Sequence, residues 1–387
     1  MTNRWAVLAL LFIVRSTMGF QFQSVPSVAP LLMESFAVQL ADIGLLIGIH
    51  HAPGFALAIP GGGLGRRFGD KLVVAIGLML MIAGALIMAL SALWGFQLAG
   101  RLLAGAGAVL MNVLMSKMVT DWFAGREIST AMAVFVNSWP FGLAIGLVAI
   151  PTIATAGGLI AVQLSVAALI CIGLIALLTL YRPPTQITVV PAGTRAWPQG
   201  TAAVALIIAA VVWGFYNAGF AVLFGFGPTM LTERGWPLAL ASSTTSIVLW
   251  LTVVSVPLGG LLADRSGRPI SVLVGSCACL ALLLALAARS EESLPIFVAI
   301  GLLGGWAAGP ILSLQARVLA PETRALGTGL FYMIFYVMQS SGSWLAGEIA
   351  TYTGSASSAF DIGAVFIAGS ILATGAYLSV VSRAAAV

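Results

Sequence analysis

The run Gly260-Leu261-Leu262-Ala263-Asp264-Arg265-Ser266-Gly267-Arg268-Pro269 decides how this chain is read. It sets an acid and two arginines among glycines, with apolar sequence on both sides. Glycine reverses a chain at little steric cost, so the run reads as a tight turn between two apolar helices. A weaker copy, Gly62-Gly63-Leu64-Gly65-Arg66-Arg67-Phe68-Gly69-Asp70-Lys71, begins 198 residues earlier, about half of the 387-residue chain. The same offset relates Pro30 to Pro228, Leu40-Ala41 to Leu238-Ala239 and Arg126 to Arg324. One constant spacing across the first, second and fifth apolar runs implies two parallel copies of one unit. A functional site is expected near the membrane midplane, where the copies meet.

Composition fixes the solvent. Hydrophobic residues make up 60% of the chain and charged residues only 7%, against roughly 25% charged in soluble domains. So much apolar surface has to face lipid. The net charge of +5 does not point to nucleic acid, because the basic residues stand singly or in pairs at the ends of apolar runs rather than in a stripe. The three cysteines, Cys171, Cys277 and Cys279, lie inside apolar runs and form neither a zinc pair nor a redox motif.

With ~20 apolar residues per crossing, twelve spans are expected, at about 5–32, 41–65, 71–92, 94–121, 128–153, 158–181, 202–230, 238–263, 269–288, 293–317, 325–351 and 357–382. Residues 1–181 form one six-helix bundle, 182–201 a proline-rich cytoplasmic linker and 202–387 a second six-helix bundle. With the N-terminus inside, thirteen of the 17 lysines and arginines fall on the cytoplasmic side and two, Arg234 and Arg289, outside. The positive-inside rule therefore places both termini in the cytoplasm. The first run, with Arg4 before it and Arg15 within it, reads as a retained span and not a cleaved signal.

These features resemble the major facilitator superfamily of secondary transporters. The family's loop motif, Gly-x-Leu-x-Asp-Arg-x-Gly-Arg-Lys/Arg, is kept in the second copy by Asp264, Arg265, Gly267 and Arg268. The first copy keeps Gly62, Leu64, Arg67, Gly69 and Lys71 but has Arg66 where the family has its acid, with Asp70 as the available substitute. The resemblance implies that these residues gate the cytoplasmic side. Arg101, Gly105 and Gly107 are similar to a family pattern in span 4. The family's antiporter motif is poorly matched by Trp139-Pro140-Phe141-Gly142, which lowers the drug-exporter reading.

Several polar residues lie deep in the spans. Arg15 stands ~15 Å into the first, where a charge costs at least ~2.5–3.5 kcal/mol, so it needs a cavity, a partner or a ligand. Gln23 falls on a neighbouring stripe; Gln21 points elsewhere and reads as a packing or interfacial residue. His50 and His51 can titrate between pH 5 and 8 or donate to an anion. Arg101, Gly105, Ala108 and Asn112 share one helix face. Asn137, Trp139 and Pro140 break the fifth run and suggest a bent helix. The second half offers Trp213, Tyr216 and Asn217, the serines 242, 243 and 246, and the stripe Tyr332, Tyr336 and Gln339, whose polar groups need partners in lipid. All twelve acids lie in loops or near span ends. The expected cargo is therefore a small anion, an organic carboxylate or compact oxyanion. Arg15, Gln23, His50, His51, Arg101, Asn112, Asn137, Tyr216, Asn217, Tyr332, Tyr336 and Gln339 are the candidate binding residues. Coupling to protons through histidine, or exchange, would drive it. No catalytic or metal constellation is visible, and no cofactor is expected. A monomer in a bacterial inner membrane is expected. A proton-driven exporter of drugs or metabolites, and a non-transporting receptor, are the alternatives.

Overall fold

The computed structural model describes residues 3–123, 127–184, 197–320 and 323–385; within these, the side chains of Gly62, Arg66, Ile128, Ser129, Ala133, Arg324, Ala325, Ala384 and Ala385 stay outside the description. All regular structure among the described residues is helical. The first half contains α1 (Arg4–Gln23), α2 (Ala29–Phe36), α3 (Leu40–Ile49), α4 (Pro53–Leu57), α5 (Gly61–Phe68), α6 (Asp70–Leu90), α7 (Trp94–Phe123), α8 (Ile128–Val136) and α9 (Ser138–Leu180). The second half contains α10 (Gly200–Glu233), α11 (Leu238–Ser266), α12 (Pro269–Arg289), α13 (Ser293–Gly304), α14 (Ala308–Val318), α15 (Arg324–Thr353) and α16 (Ser357–Ala385).

Ten helical stretches among the described residues are long and apolar enough to cross a membrane. One of them contains α9, whose 43 residues would reach about 65 Å at 1.5 Å per residue, twice the hydrocarbon thickness. Gly158, at φ 70° and ψ −170°, interrupts it and makes it two crossings. The 30-residue α15 is long enough to cross but is too rich in serine, tyrosine and glutamine to rank with the ten. Counting both, the described residues make the twelve crossings read from the sequence, six in each repeat.

Several runs expected as single helices are broken, and prolines mark the breaks. The second span, expected over 41–65, is three pieces, α3, α4 and α5. Proline has no N–H to donate and clashes with the preceding turn, and Pro53 opens α4 while Pro60 precedes α5. The first span breaks after Gln23, before a short 3₁₀ turn at Pro26–Val28, and the tenth at Gly305–Ala307. No loop separates the fifth and sixth spans, because helix continues to Gly158. The two copies of the charged turn behave alike. Gly69 (φ 88°) joins α5 to α6, and Gly267 (φ 63°) follows α11. Left-handed backbone of this kind favours glycine, and the two stand 198 residues apart.

Contacts group the chain into two units, Met1–Val38 with Ile49–Val190, and Gln39–Gly48 with Pro191–Val387. Most of the expected linker, residues 185–196, lies outside the described residues. In the first unit α6 and α7 cross at reciprocal glycine contacts. A methyl added to Gly77 or Gly107 would lie 2.8 or 2.2 Å from the other's carbonyl oxygen, and Gly84 and Gly100 form the same pair one heptad away. Lipid offers no hydrophobic drive for helix pairing, so close backbone approach supplies it through dispersion.

Candidate functional site

The expected polar face of α7 is real, and in the first unit it lies along α1. Asn112, at one end, accepts from Arg15 through Oδ1, from Nε at 3.1 Å and Nη2 at 2.8 Å. The other edge of the guanidinium turns to the break between α8 and α9. Its Nη1 donates to the carbonyl oxygens of Phe135 (3.2 Å) and Val136 (3.1 Å) and to Ser138 Oγ (3.0 Å). Ser138 in turn donates to the Phe135 carbonyl at 2.6 Å. Pro140 explains why the Val136 carbonyl needs a side-chain donor. The Val136 carbonyl would normally receive the N–H four residues on, and residue 140 has none. The Arg15 carbon also stands 4.8 Å from the Phe135 ring centre. Arg15 is buried, and these five hydrogen bonds end on neutral oxygens. Asn137, at the break itself, is half-buried.

Arg101, at the other end of the face, is wholly buried. It donates to the carbonyl oxygens of Gln21 (3.0 Å) and Phe22 (2.6 Å), in the last turn of α1. Terminal carbonyls have no helical donor, and a cation there also complements the helix dipole. Its guanidinium lies 5.0 Å from the Phe22 ring centre. Phe22 is the hub of this end. The rings of His50, His51 and Trp139 stand 5.4, 5.2 and 5.5 Å from it. One turn below Arg101, Gly105 receives the His50 carbonyl so closely that an added Cβ would be 2.1 Å from its oxygen. The two histidines occupy the turn between α3 and α4, so helical spacing does not govern where their rings point. Both are buried, and neither ring nitrogen of His50 has a hydrogen-bond partner. Gln23 is buried beside Gly146. Gln21 donates to the Met81 carbonyl at 2.8 Å, a packing role, as its position on α1 suggests.

The second unit has its own version of a side chain reaching a broken helix. Tyr216 Oη donates to the Gly304 carbonyl at 2.8 Å, at the end of α13. Its ring stacks on Trp213 (5.7 Å, 24°) and Phe220 (6.0 Å, 19°). Asn217 bonds within its own helix, to the Trp213 carbonyl at 2.9 Å. On α15, Tyr332 and Tyr336 flank Phe335, with ring centres 6.1 and 5.0 Å away. Phe335 reaches Trp213 at 6.2 Å, so α10 and α15 share one aromatic layer. Gln339 is buried, and its Oε1 has no partner.

Asp70 pairs with Lys117 at 2.5 Å, and Lys117 also pairs with Asp121 at 2.7 Å. Lys71 donates to the carbonyls of Leu178 and Tyr181, both at 2.8 Å, closing the C-terminal end of α9. Arg67, Asp264, Arg265 and Arg268 are exposed. The side chains of Gly62 and Arg66 lie outside the described residues. Sequence reasoning missed Phe22, Ser138 and Lys117 as site residues. A phenylalanine in an apolar run gives no signal, whereas the break at Asn137 could have flagged Ser138.

Two repeats of membrane-length helices, each with polar side chains turned inward, define a multi-pass carrier. The chain matches the Major Facilitator Superfamily over residues 11–343, most of its length, and belongs to that family of secondary transporters. Its fold is similar to a bacterial homologue of the human lysosomal transporter Spinster in an inward-facing and occupied conformation (TM-score 0.79, 16% identity, 99% of this chain and 97% of that one). It is also similar to a mutant of the nucleoside transporter NupG (TM-score 0.74, 16% identity, 96% and 99%) and to an auto-inhibited POT-family peptide transporter (TM-score 0.72, 15% identity, 97% and 96%). At such identities the likeness is one of fold. Among curated proteins it is 25% identical over 133 residues to the quinolone resistance protein NorB of Staphylococcus aureus (strain JH9), and that match spans 34% of this chain and 29% of the relative.

Proposed function

We propose that this transporter carries a small anion, an organic carboxylate or compact oxyanion, past Arg15 and Arg101. The observation that carries the reading is the placement of charge. Every acid among the described residues stands in a loop or within about a turn and a half of a helix end, while two guanidinium groups are buried well inside α1 and α7. The hydrogen bonds described above reach amide, hydroxyl and carbonyl oxygens, which orient a guanidinium without neutralising it. At about 8 Å and an effective dielectric of about 20, each contributes roughly 2 kcal/mol of attraction to a unit anion. A cation carrier needs the opposite field. His50 and His51, packed on Phe22 beside Arg101, are the candidate proton carriers; exchange of one anion for another is the alternative drive. The second repeat has neutral hydrogen-bonding groups of its own in Tyr332, Tyr336 and Gln339.

Charge-matched thermal shifts test this. Lactate, benzoate and inorganic phosphate are titrated against the purified protein, with lactamide as the neutral counterpart of lactate. A ligand at a hundred times its Kd stabilises by about 2.7 kcal/mol. At least one anion should raise the melting temperature while lactamide does not; equal effects of lactate and lactamide would remove the charge argument. A second reading, export of drugs, is favoured by the NorB match. It predicts that expression of the chain lowers quinolone accumulation in cells.

A further inference from the structure

We infer that Arg15 is a positioning residue for the fifth span: it stands in for the backbone donor that Pro140 lacks and so sets the bend carrying Asn137 and Trp139. This goes beyond the anion reading, which asks only that the residue be charged. Three observations converge on it. Pro140 leaves the Val136 carbonyl without its helical donor, and Arg15 Nη1 meets that oxygen at 3.1 Å. The same nitrogen reaches the Phe135 carbonyl and Ser138 Oγ, the two groups on either side of the interruption. The opposite edge is clamped by both N–H contacts to Asn112 Oδ1, which fixes the fork's direction from a third helix. The fork geometry matters, because a lysine brings the charge but cannot bridge Asn112 and three acceptors 120 residues away at once. The bend in turn turns Trp139 onto Phe22 at 5.5 Å and carries Gly142 against Ser16 and Gly19 of α1. Arg15 thereby ties the shape of the fifth span to the first through its backbone.

The test is a double-mutant cycle on the full-length purified protein, read by amide hydrogen exchange over residues 134–142. The variants are Arg15→Gln, Arg15→Lys, Pro140→Ala and Arg15→Gln/Pro140→Ala. Both single arginine variants should speed exchange in this segment by tenfold or more. Pro140→Ala restores a backbone N–H to residue 140, so the double variant should return to within about threefold of Pro140→Ala alone. Ser138→Ala, which keeps the arginine and removes one acceptor, should give a weaker form of the same local change if Arg15→Gln fails to accumulate. Wild-type exchange in Arg15→Lys, or a double variant no slower than Arg15→Gln, would overturn the inference. Either result leaves the anion reading standing, since that reading is decided by the charge of the ligand. Loss of anion binding with the cycle intact would do the reverse.

Discussion

Replacing Gly105 by alanine perturbs the site through one methyl group whose surroundings are fixed. The added Cβ would stand 2.1 Å from the His50 carbonyl oxygen, 2.8 Å from its carbonyl carbon and 3.0 Å from its Cα. Carbon–oxygen contacts settle at about 3.3–3.6 Å, so the shortfall exceeds an ångström. Every atom met is backbone and cannot swing away as a side chain would. The turn between α3 and α4 must move off α7 or α7 must tilt, and overpacking of this kind costs about 1–3 kcal/mol. The upper end applies here. Alanine also returns roughly 1 kcal/mol of helix propensity, which leaves a net loss of about 2 kcal/mol. Gly275→Ala is the internal control. That glycine lies in α12 with nothing within 4 Å of its would-be Cβ, so only the propensity gain remains. The two variants should differ by about 3 kcal/mol, read as thermal unfolding of detergent-purified protein by fluorescence size-exclusion. Because the displaced turn holds both histidines, Gly105→Ala should also lose transport out of proportion to its stability. A Gly105→Ala protein as stable as Gly275→Ala would refute the packing argument.

Three further changes follow from the same contacts. Arg101→Gln removes two charge-assisted bonds that close the end of α1 and should cost about 3 kcal/mol or more in the same thermal assay. Tyr216→Phe leaves the Gly304 carbonyl without its donor and should cost about 1–3 kcal/mol, with Asn217→Ala, whose bond is local to one helix, costing less. If histidine carries the coupling proton, a His50→Gln/His51→Gln protein should lose whatever dependence on pH the wild-type initial rate shows.

How much of this was legible in the sequence differs from level to level. The repeat was legible because the charged turn recurs at one offset, and the left-handed glycines at 69 and 267 show why that turn resists change. The crossings were legible from apolarity alone. The breaks inside them were less so, because runs apolar on every side have no periodicity to lose, and Pro53 in the second span read as one residue in a continuous helix. Asp70 was singled out only against the family pattern; its pairing with Lys117 depends on where α7 lies. Arg15 was legible as a residue in need of partners. Which partners was not, since Asn112 and Val136 stand 97 and 121 residues away and the Val136 carbonyl is freed by a proline read only as a bend. Phe22 was silent because packing hubs differ from ordinary apolar residues in their neighbours, not in their chemistry.

The sign of the cargo is the measurement that bears most directly on the account. Proteoliposomes holding the purified protein are given radiolabelled lactate, benzoate or phosphate, and in parallel tetraphenylphosphonium, at matched gradients. The account predicts saturable uptake of at least one anion, suppressed by the other anions in excess, and no protein-dependent movement of the cation. Protein-dependent uptake of tetraphenylphosphonium with all three anions left outside would contradict it.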